Sequence, residues 1–338
     1  MMNLQNLSLA PLGAVFIALG TANIASAAVF YGQSQSLGNG AIRSFVTLDD
    51  TSGKPLDIGI SFLKAALDLP PGSGNPYNTN EYITTELSLP SQAASTPFNN
   101  FEVNYRPNGF PPGGPVTQPL FDLYFFQISP EERDLICPNP DTSSPIPNCV
   151  GEERAVARKT PVAGTLPVGV IPLIEDTPER PGSPLRAVPR YGTRYYDGDL
   201  AISVFNNPQS LTSFYGYGFS DGKPNFTNII LAEAFLEKEP NDSTTQFKLP
   251  TKYLKSGYYP TAYNVKYDPT LQEYRLSLTG LTYRSIPESS YTVGLLGLGA
   301  LGAASRLRRK RSDHKGIRGS FNVLPAIAKT SKKAKAKI

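Results

Sequence analysis

From residue 41 onward, apolar side chains recur mostly at every second position, in short runs cut by Gly, Pro, Asn and Asp. A period of two is the signature of half-buried strands. Residues 41–48 and 56–63 flank Asp49-Asp50-Thr51-Ser52-Gly53-Lys54 and predict a hairpin. Residues 82–89 and 101–105, rich in Thr, Val and aromatics, predict two more strands. The most apolar run is 119–128, Pro-Leu-Phe-Asp-Leu-Tyr-Phe-Phe-Gln-Ile. Alternation puts Phe121, Leu123 and Phe125 on one face, and Leu120, Asp122, Tyr124 and Phe126 on the other. Ser129-Pro130-Glu131-Glu132 follows, with a cap, a proline suited to a first turn and a Glu three residues after the cap. It predicts a short helix from Pro130 to about Ile136. Residues 211–219 and 225–231 flank Ser220-Asp221-Gly222-Lys223, and Asp-Gly is a hairpin turn. Residues 232–239 read as a helical turn, and 262–267 with 273–283 as a last hairpin around 268–272. Residues 106–119 (five prolines, three glycines) and 175–190 have no regular period. The fold class is mainly β: an antiparallel sandwich or barrel-like ectodomain with one or two short helices.

Both ends break this pattern. Leu9 to Gly20 is apolar, and Ala25-Ser26-Ala27 supplies the small residues a signal peptidase needs. Residues 1–28 therefore predict an export signal cut after Ala27 or Ala28, although it has no Lys or Arg. Residues 286–311 read Ile-Pro-Glu-Ser-Ser, an uncharged stretch from Tyr291 through Ala304, then Arg306, Arg308, Arg309, Lys310 and Arg311. The apolar stretch leaves water for the bilayer, and the cations after it are retained on the cytoplasmic side. A full span takes about 20 apolar residues. This one is shorter and rich in glycine, so it predicts an apolar helix that sorts or anchors. An ordinary single-pass anchor and a buried core helix are the competing readings; a core helix needs no flanking cations. Residues 312–338 predict a disordered basic tail that can touch anionic lipid heads. The division is thus 1–28 signal, 29–285 ectodomain, 286–311 sorting segment and 312–338 tail.

The C-terminal pattern resembles the PEP-CTERM sorting signal of bacterial surface proteins. The matching residues are Pro287-Glu288, the Gly/Leu/Ala run 293–304 and the cluster 306–311. Ser289 stands where that signal usually has a second proline, and 312–338 extend past the cluster where it normally ends. The resemblance implies processing by an enzyme of the exosortase type, an inner-membrane-anchored intermediate, and delivery to the cell surface or extracellular matrix.

Charge follows the same partition. Residues 306–338 hold 12 Lys or Arg and one acid, whereas 29–290 hold 20 Lys or Arg against 27 Asp or Glu. The body is acidic and the overall +4 comes from the tail. A nucleic-acid-binding domain carries its basic patch on the fold, which excludes nucleic acid as a partner. Cys137 and Cys149 are the only thiols, twelve residues apart across a Pro-, Asn- and Ser-rich stretch. In an exported chain this predicts a disulfide.

The only histidine is His314, in the tail. A Ser-His-Asp triad, a Cys-His pair and a histidine-ligated metal site all need imidazoles that the body lacks. No phosphate-binding glycine loop is present. Two acid-based options remain. Asp122, Asp197, Asp199 and Glu233 are candidates for the carboxylate pair of a glycoside hydrolase. Asp197, Asp199 and Asp221 are candidate calcium ligands, but without EF-hand spacing, so Asp197-Gly198-Asp199 reads as a turn. Tyr195-Tyr196 and Tyr258-Tyr259 read either as sugar-stacking platforms or as cross-strand packing, and the absence of Trp favours packing.

The body also resembles a bacterial domain family of unknown function, typified by a Thermus protein under extracytoplasmic sigma-factor control. The likeness lies in residues 119–136, 191–197 and 214–236, including Tyr215-Gly216 and Asp221-Gly222, and in Gly257-Tyr258-Tyr259-Pro260-Thr261. In that family histidines stand where this chain has Leu120, Tyr124 and Arg194. The resemblance implies a β-rich fold and a homo-oligomer; it does not imply an activity. It also brings Arg194 near Asp122, whose place in an apolar strand demands a partner. The expectation is a non-enzymatic envelope or matrix protein with no cofactor or metal. Its partners would be a processing enzyme of the exosortase type, the membrane and envelope polysaccharide. The alternative is a carbohydrate-binding protein or a carboxylate-based glycoside hydrolase.

Overall fold

A computed structural model describes residues 27–75, 78–110, 116–143, 147–172 and 187–286. Most of the expected export signal, the expected sorting motif Pro287-Glu288, the basic cluster 306–311, the apolar helix expected before it and the tail lie outside the described residues. Among the described residues no helix is long and apolar enough to cross a membrane.

Two antiparallel sheets carry the body. The chain opens with β1 (Ala27–Tyr31), β2 (Gln35–Leu37), β3 (Gly40–Asp49) and β4 (Pro55–Leu63). The predicted hairpin is β3–β4, with Ile42 opposite Phe62. Asp49 Oδ1 accepts the Thr51 and Ser52 amides and fixes its turn.

The second sheet comes next: β5 (Ile83–Ser88), β6 (Asn100–Arg106) and β7 (Leu120–Phe126). Helices α1 (Pro130–Asp134) and α2 (Gly151–Ala157) follow, then β8 (Val170–Pro172), β9 (Ala187–Val188) and β10 (Gly192–Asp197). Helix α3 (Gly198–Asn206), β11 (Ser213–Ser220), β12 (Lys223–Ala232) and α4 (Glu233–Leu236) complete this stretch. The sheet order is β5-β6-β7-β12-β11-β10-β8, with β9 beside β10. The chain then returns through β13 (Ser243–Gln246), β14 (Gly257–Tyr259), β15 (Ala262–Asp268), β16 (Glu273–Thr279) and β17 (Thr282–Arg284). β13, β15 and β16 finish the first sheet, ordered β1-β3-β4-β16-β15-β13 with β2 on β3, while β14 and β17 pair separately.

The main core lies between the sheets. Ile42, Val46, Ile58, Ile60 and Leu276 of the first meet Phe101, Val103, Leu123, Phe125 and Ile229 of the second. Aromatic pairs bridge the layers, Phe62 with Phe121 at 6.3 Å and Tyr215 with Tyr263 at 6.3 Å between ring centroids. Such pairs add about 0.5–1.5 kcal/mol beyond the area they bury.

Local chemistry explains the remaining elements. Helix α1 has the full capping box: the Ser129 hydroxyl accepts the Glu132 amide at 3.2 Å, and the Glu132 carboxylate accepts the Ser129 amide at 2.8 Å. It stops at Asp134, short of the expected Ile136. The β11–β12 turn puts Asp221 and Gly222 at φ 51° and 72°, the left-handed pair that an Asp-Gly hairpin requires. The strand expected over 273–283 breaks after Thr279, because Gly280 turns to φ 64° and sends β17 away to β14. The sequence reading missed α3. Asp197 caps it by accepting the Asp199 and Leu200 amides, so the predicted turn Asp197-Gly198-Asp199 is a helix start. The Cys137 and Cys149 sulfurs lie at disulfide distance, with Cα atoms 5.4 Å apart. A bond closing a loop of this size stabilises by about 3 kcal/mol in the chain-entropy model.

Candidate functional site

The outer face of the second sheet would be solvated in a two-layer sandwich, and its sequence suggests as much. On β6 that face carries Asn100, Glu102, Asn104 and Arg106; on β7 it carries Leu120, Asp122, Tyr124 and Phe126; on β12 it carries Asn228. Yet all of these residues are buried. The layer survives because its charges answer one another.

Asp122 is its centre. Arg106 Nη2 lies 2.6 Å and Arg194 Nη1 3.6 Å from Asp122 Oδ2. The Tyr124 hydroxyl donates to the same oxygen at 2.5 Å, and Asn228 Nδ2 donates to Oδ1 at 2.6 Å. The Arg194 guanidinium also lies 5.2 Å from the Tyr124 and Tyr191 ring centroids. So the structure brings Asp122 and Arg194 into ion-pair range, while Arg106 is the nearer cation. Burial, the largest single influence, would lower the Arg106 pKa; the Asp122 carboxylate together with the Tyr124 and Tyr82 phenols outweighs it and raises the pKa. Burial drives the Tyr124 phenol well above its ordinary value, which keeps it a neutral donor.

A second buried pair lies beside the first. Arg133 of α1 reaches Glu102 of β6 at 2.8 Å, and neither side chain is exposed at all. Asn104 Nδ2 and the Tyr191 hydroxyl donate to the other Glu102 oxygen. Arg133 also bonds Glu86 and stands 4.5 Å from the Phe126 ring centroid. Sequence reasoning missed Arg106, Glu102 and Arg133. The usable signal was the alternation Asn-Glu-Asn-Arg in β6, opposite the strand that carries Asp122.

The acids put forward for hydrolysis or calcium meet the chain's own cations and donors. Lys248 Nζ lies 3.0 Å from Asp197 and 2.7 Å from Asp199. Asp221 pairs with Lys159 at 2.9 Å and Lys223 at 3.4 Å. Glu233 takes the Tyr105 hydroxyl at 3.3 Å; burial, then the nearby Glu237, raises its pKa. Among the described residues no group of three His, Cys, Asp or Glu is placed to hold a metal ion. Tyr195 and Tyr196 are buried, Tyr258 is half-buried against Tyr283, and the Tyr259 hydroxyl donates to the Lys255 carbonyl. This is packing geometry.

Asp197 gives the body an acid-sensitive tie. Burial would raise its pKa, but Lys248, the Leu200 amide and the Tyr215 hydroxyl together hold it below the ordinary value. A depressed folded-state pKa contributes stability above the unfolded Asp value of about 3.9, and that stability is lost as pH falls through the folded value. The thermal midpoint is therefore expected to fall as pH is lowered from 6 to 3. Asp197→Asn should start lower at pH 6 and lose less over the same range. Parallel curves for the two proteins would refute the assignment.

The described residues also form a cavity of about 330 Å³. It is lined by β11 and β12 side chains, by Phe98 and by the segment 247–260, and Glu132 is its one acid. A glycoside hydrolase needs two carboxylates about 5–9.5 Å apart, which this lining does not supply. No family model, curated protein or solved structure matches this chain.

Proposed function

We propose that this chain is an exported, non-enzymatic protein of the cell envelope or extracellular matrix, delivered by its C-terminal sorting segment. The observation that carries the reading is the state of its carboxylates. Asp122 and Glu102 are sealed against Arg106, Arg194 and Arg133, and Asp197, Asp199 and Asp221 hold lysines. Acids engaged in this way build and brace a body; they are poor proton donors and metal ligands. The charge partition supports export, since the acidic stretch 29–290 lies between an apolar leader and a cationic end. The cysteine pair suits an oxidising compartment.

The fold is compatible with removal of the leader. A cut after Ala28 leaves Val29 opposite Thr47, Phe30 opposite Val46 and Tyr31 opposite Phe45, so β1 keeps its place on β3. Mass spectrometry of the protein isolated from its own cells tests the proposal. The expected species begins at Ala28 or Val29, and its C-terminus lies near Pro287-Glu288 or carries an attached group there. A soluble cytosolic protein with both Met1 and Ile338 would refute export and sorting together.

A further inference from the structure

The cavity has an apolar wall and a cationic lip. Phe98, Phe219 and Phe247 are buried in its wall, and Leu249 and Tyr253 are half-buried beside them. Three exposed lysines, Lys223, Lys252 and Lys255, also line it. Lys223 is matched by Asp221 at 3.4 Å. Lys255 Nζ donates to the Gln127 carbonyl at 2.8 Å, and neither Lys252 nor Lys255 forms an ion pair among the described residues. The single acid of the lining, Glu132, is committed to the Ser129 amide at the start of α1. Two unmatched cations thus stand at the mouth of an apolar cavity, on a body with an excess of acids.

The geometry points to a small carboxylate with an apolar tail, of the medium-chain fatty-acid class, as the ligand of this cavity. The tail packs among Phe98, Phe219 and Phe247, and the carboxylate sits at the lip beside Lys252 and Lys255. The volume falls at the lower end of the roughly 300–1,000 Å³ in which proteins bind small molecules. A long-chain lipid or a protein segment is too large for it. A sugar would leave its hydroxyls against phenyl rings, where polar groups lose their hydrogen bonds.

Calorimetric titration of the full chain in detergent-free buffer, with hexanoate, octanoate, decanoate and decanol below their micellar concentrations, tests the site. Each added CH₂ is expected to tighten Kd about fourfold. Decanol is expected to bind about tenfold more weakly than decanoate. The double charge reversal Lys252→Glu with Lys255→Glu alters two exposed side chains. It should weaken decanoate about tenfold and leave decanol unchanged. The chain has no Trp, so Leu254→Trp places a single reporter in the lining, and its emission should shift to the blue when decanoate binds. Three results would overturn the assignment: no binding that depends on chain length, decanol binding as tightly as decanoate, or a charge reversal without effect on decanoate. Each leaves the export reading standing, because that reading is tested on the termini.

Discussion

Replacing Asp122 with Ala is expected to destabilise the fold by about 3–5 kcal/mol, measured as a lower denaturant midpoint at unchanged slope. Asp122 is fully buried, and two guanidiniums and a phenol converge on it. Removing the carboxylate leaves Arg106 and Arg194 in the interior without a counter-charge, and a lone buried charge costs far more than the pair returned when intact. Asp122→Asn keeps the volume and much of the hydrogen bonding but removes the charge, so it should still lose most of that stability. If Asp122→Asn were as stable as the wild type, charge compensation would not be what this layer rests on.

The second large effect is expected at Arg133. Arg133→Ala removes the partner of buried Glu102 together with the contact over Phe126, and should also cost about 3–5 kcal/mol. The informative comparison is a double-mutant cycle. Arg133→Met with Glu102→Gln exchanges the pair for neutral groups of similar size, and should cost less than the two single changes added together, by roughly 0.5–3 kcal/mol. Strict additivity would mean that the two residues act independently despite their 2.8 Å separation.

How much of this could be read from the sequence depended on distance along the chain. The β3–β4 hairpin, the capping box at Ser129 and the Asp221-Gly222 turn are local, and residue chemistry specified them within a few positions. The two faces of β7 were also legible, and with them the demand that Asp122 be paired. The identity of the nearest partner was not. Arg106 closes β6 just before a proline-rich stretch, where a cation reads as solvated. Glu102 and Asn104 read as the wet side of an alternating strand. They are dry because Arg133 and Tyr191 fold over them from 31 and 89 residues away, and no period in β6 reports that. The cavity was illegible for the same reason: its wall joins Phe98, β11, β12 and the segment 247–260. Helix α3 was missed because Gly198 follows its cap, where glycine normally signals a turn.

The way the two sheets are threaded sets an order of events during folding. The second sheet is built from β5 through β12 in one continuous stretch, so its pairings join segments already close along the polypeptide. The first is split between the chain's beginning and its end: β4 must wait for β16, with Leu63 opposite Glu273. Closing so wide a loop is slow, because the entropy is lost before the contacts form. A chain threaded through a membrane from its amino end would therefore hold β1–β4 with an open edge until the last strands arrive, and that interval is when it is most exposed to mispairing with its neighbours.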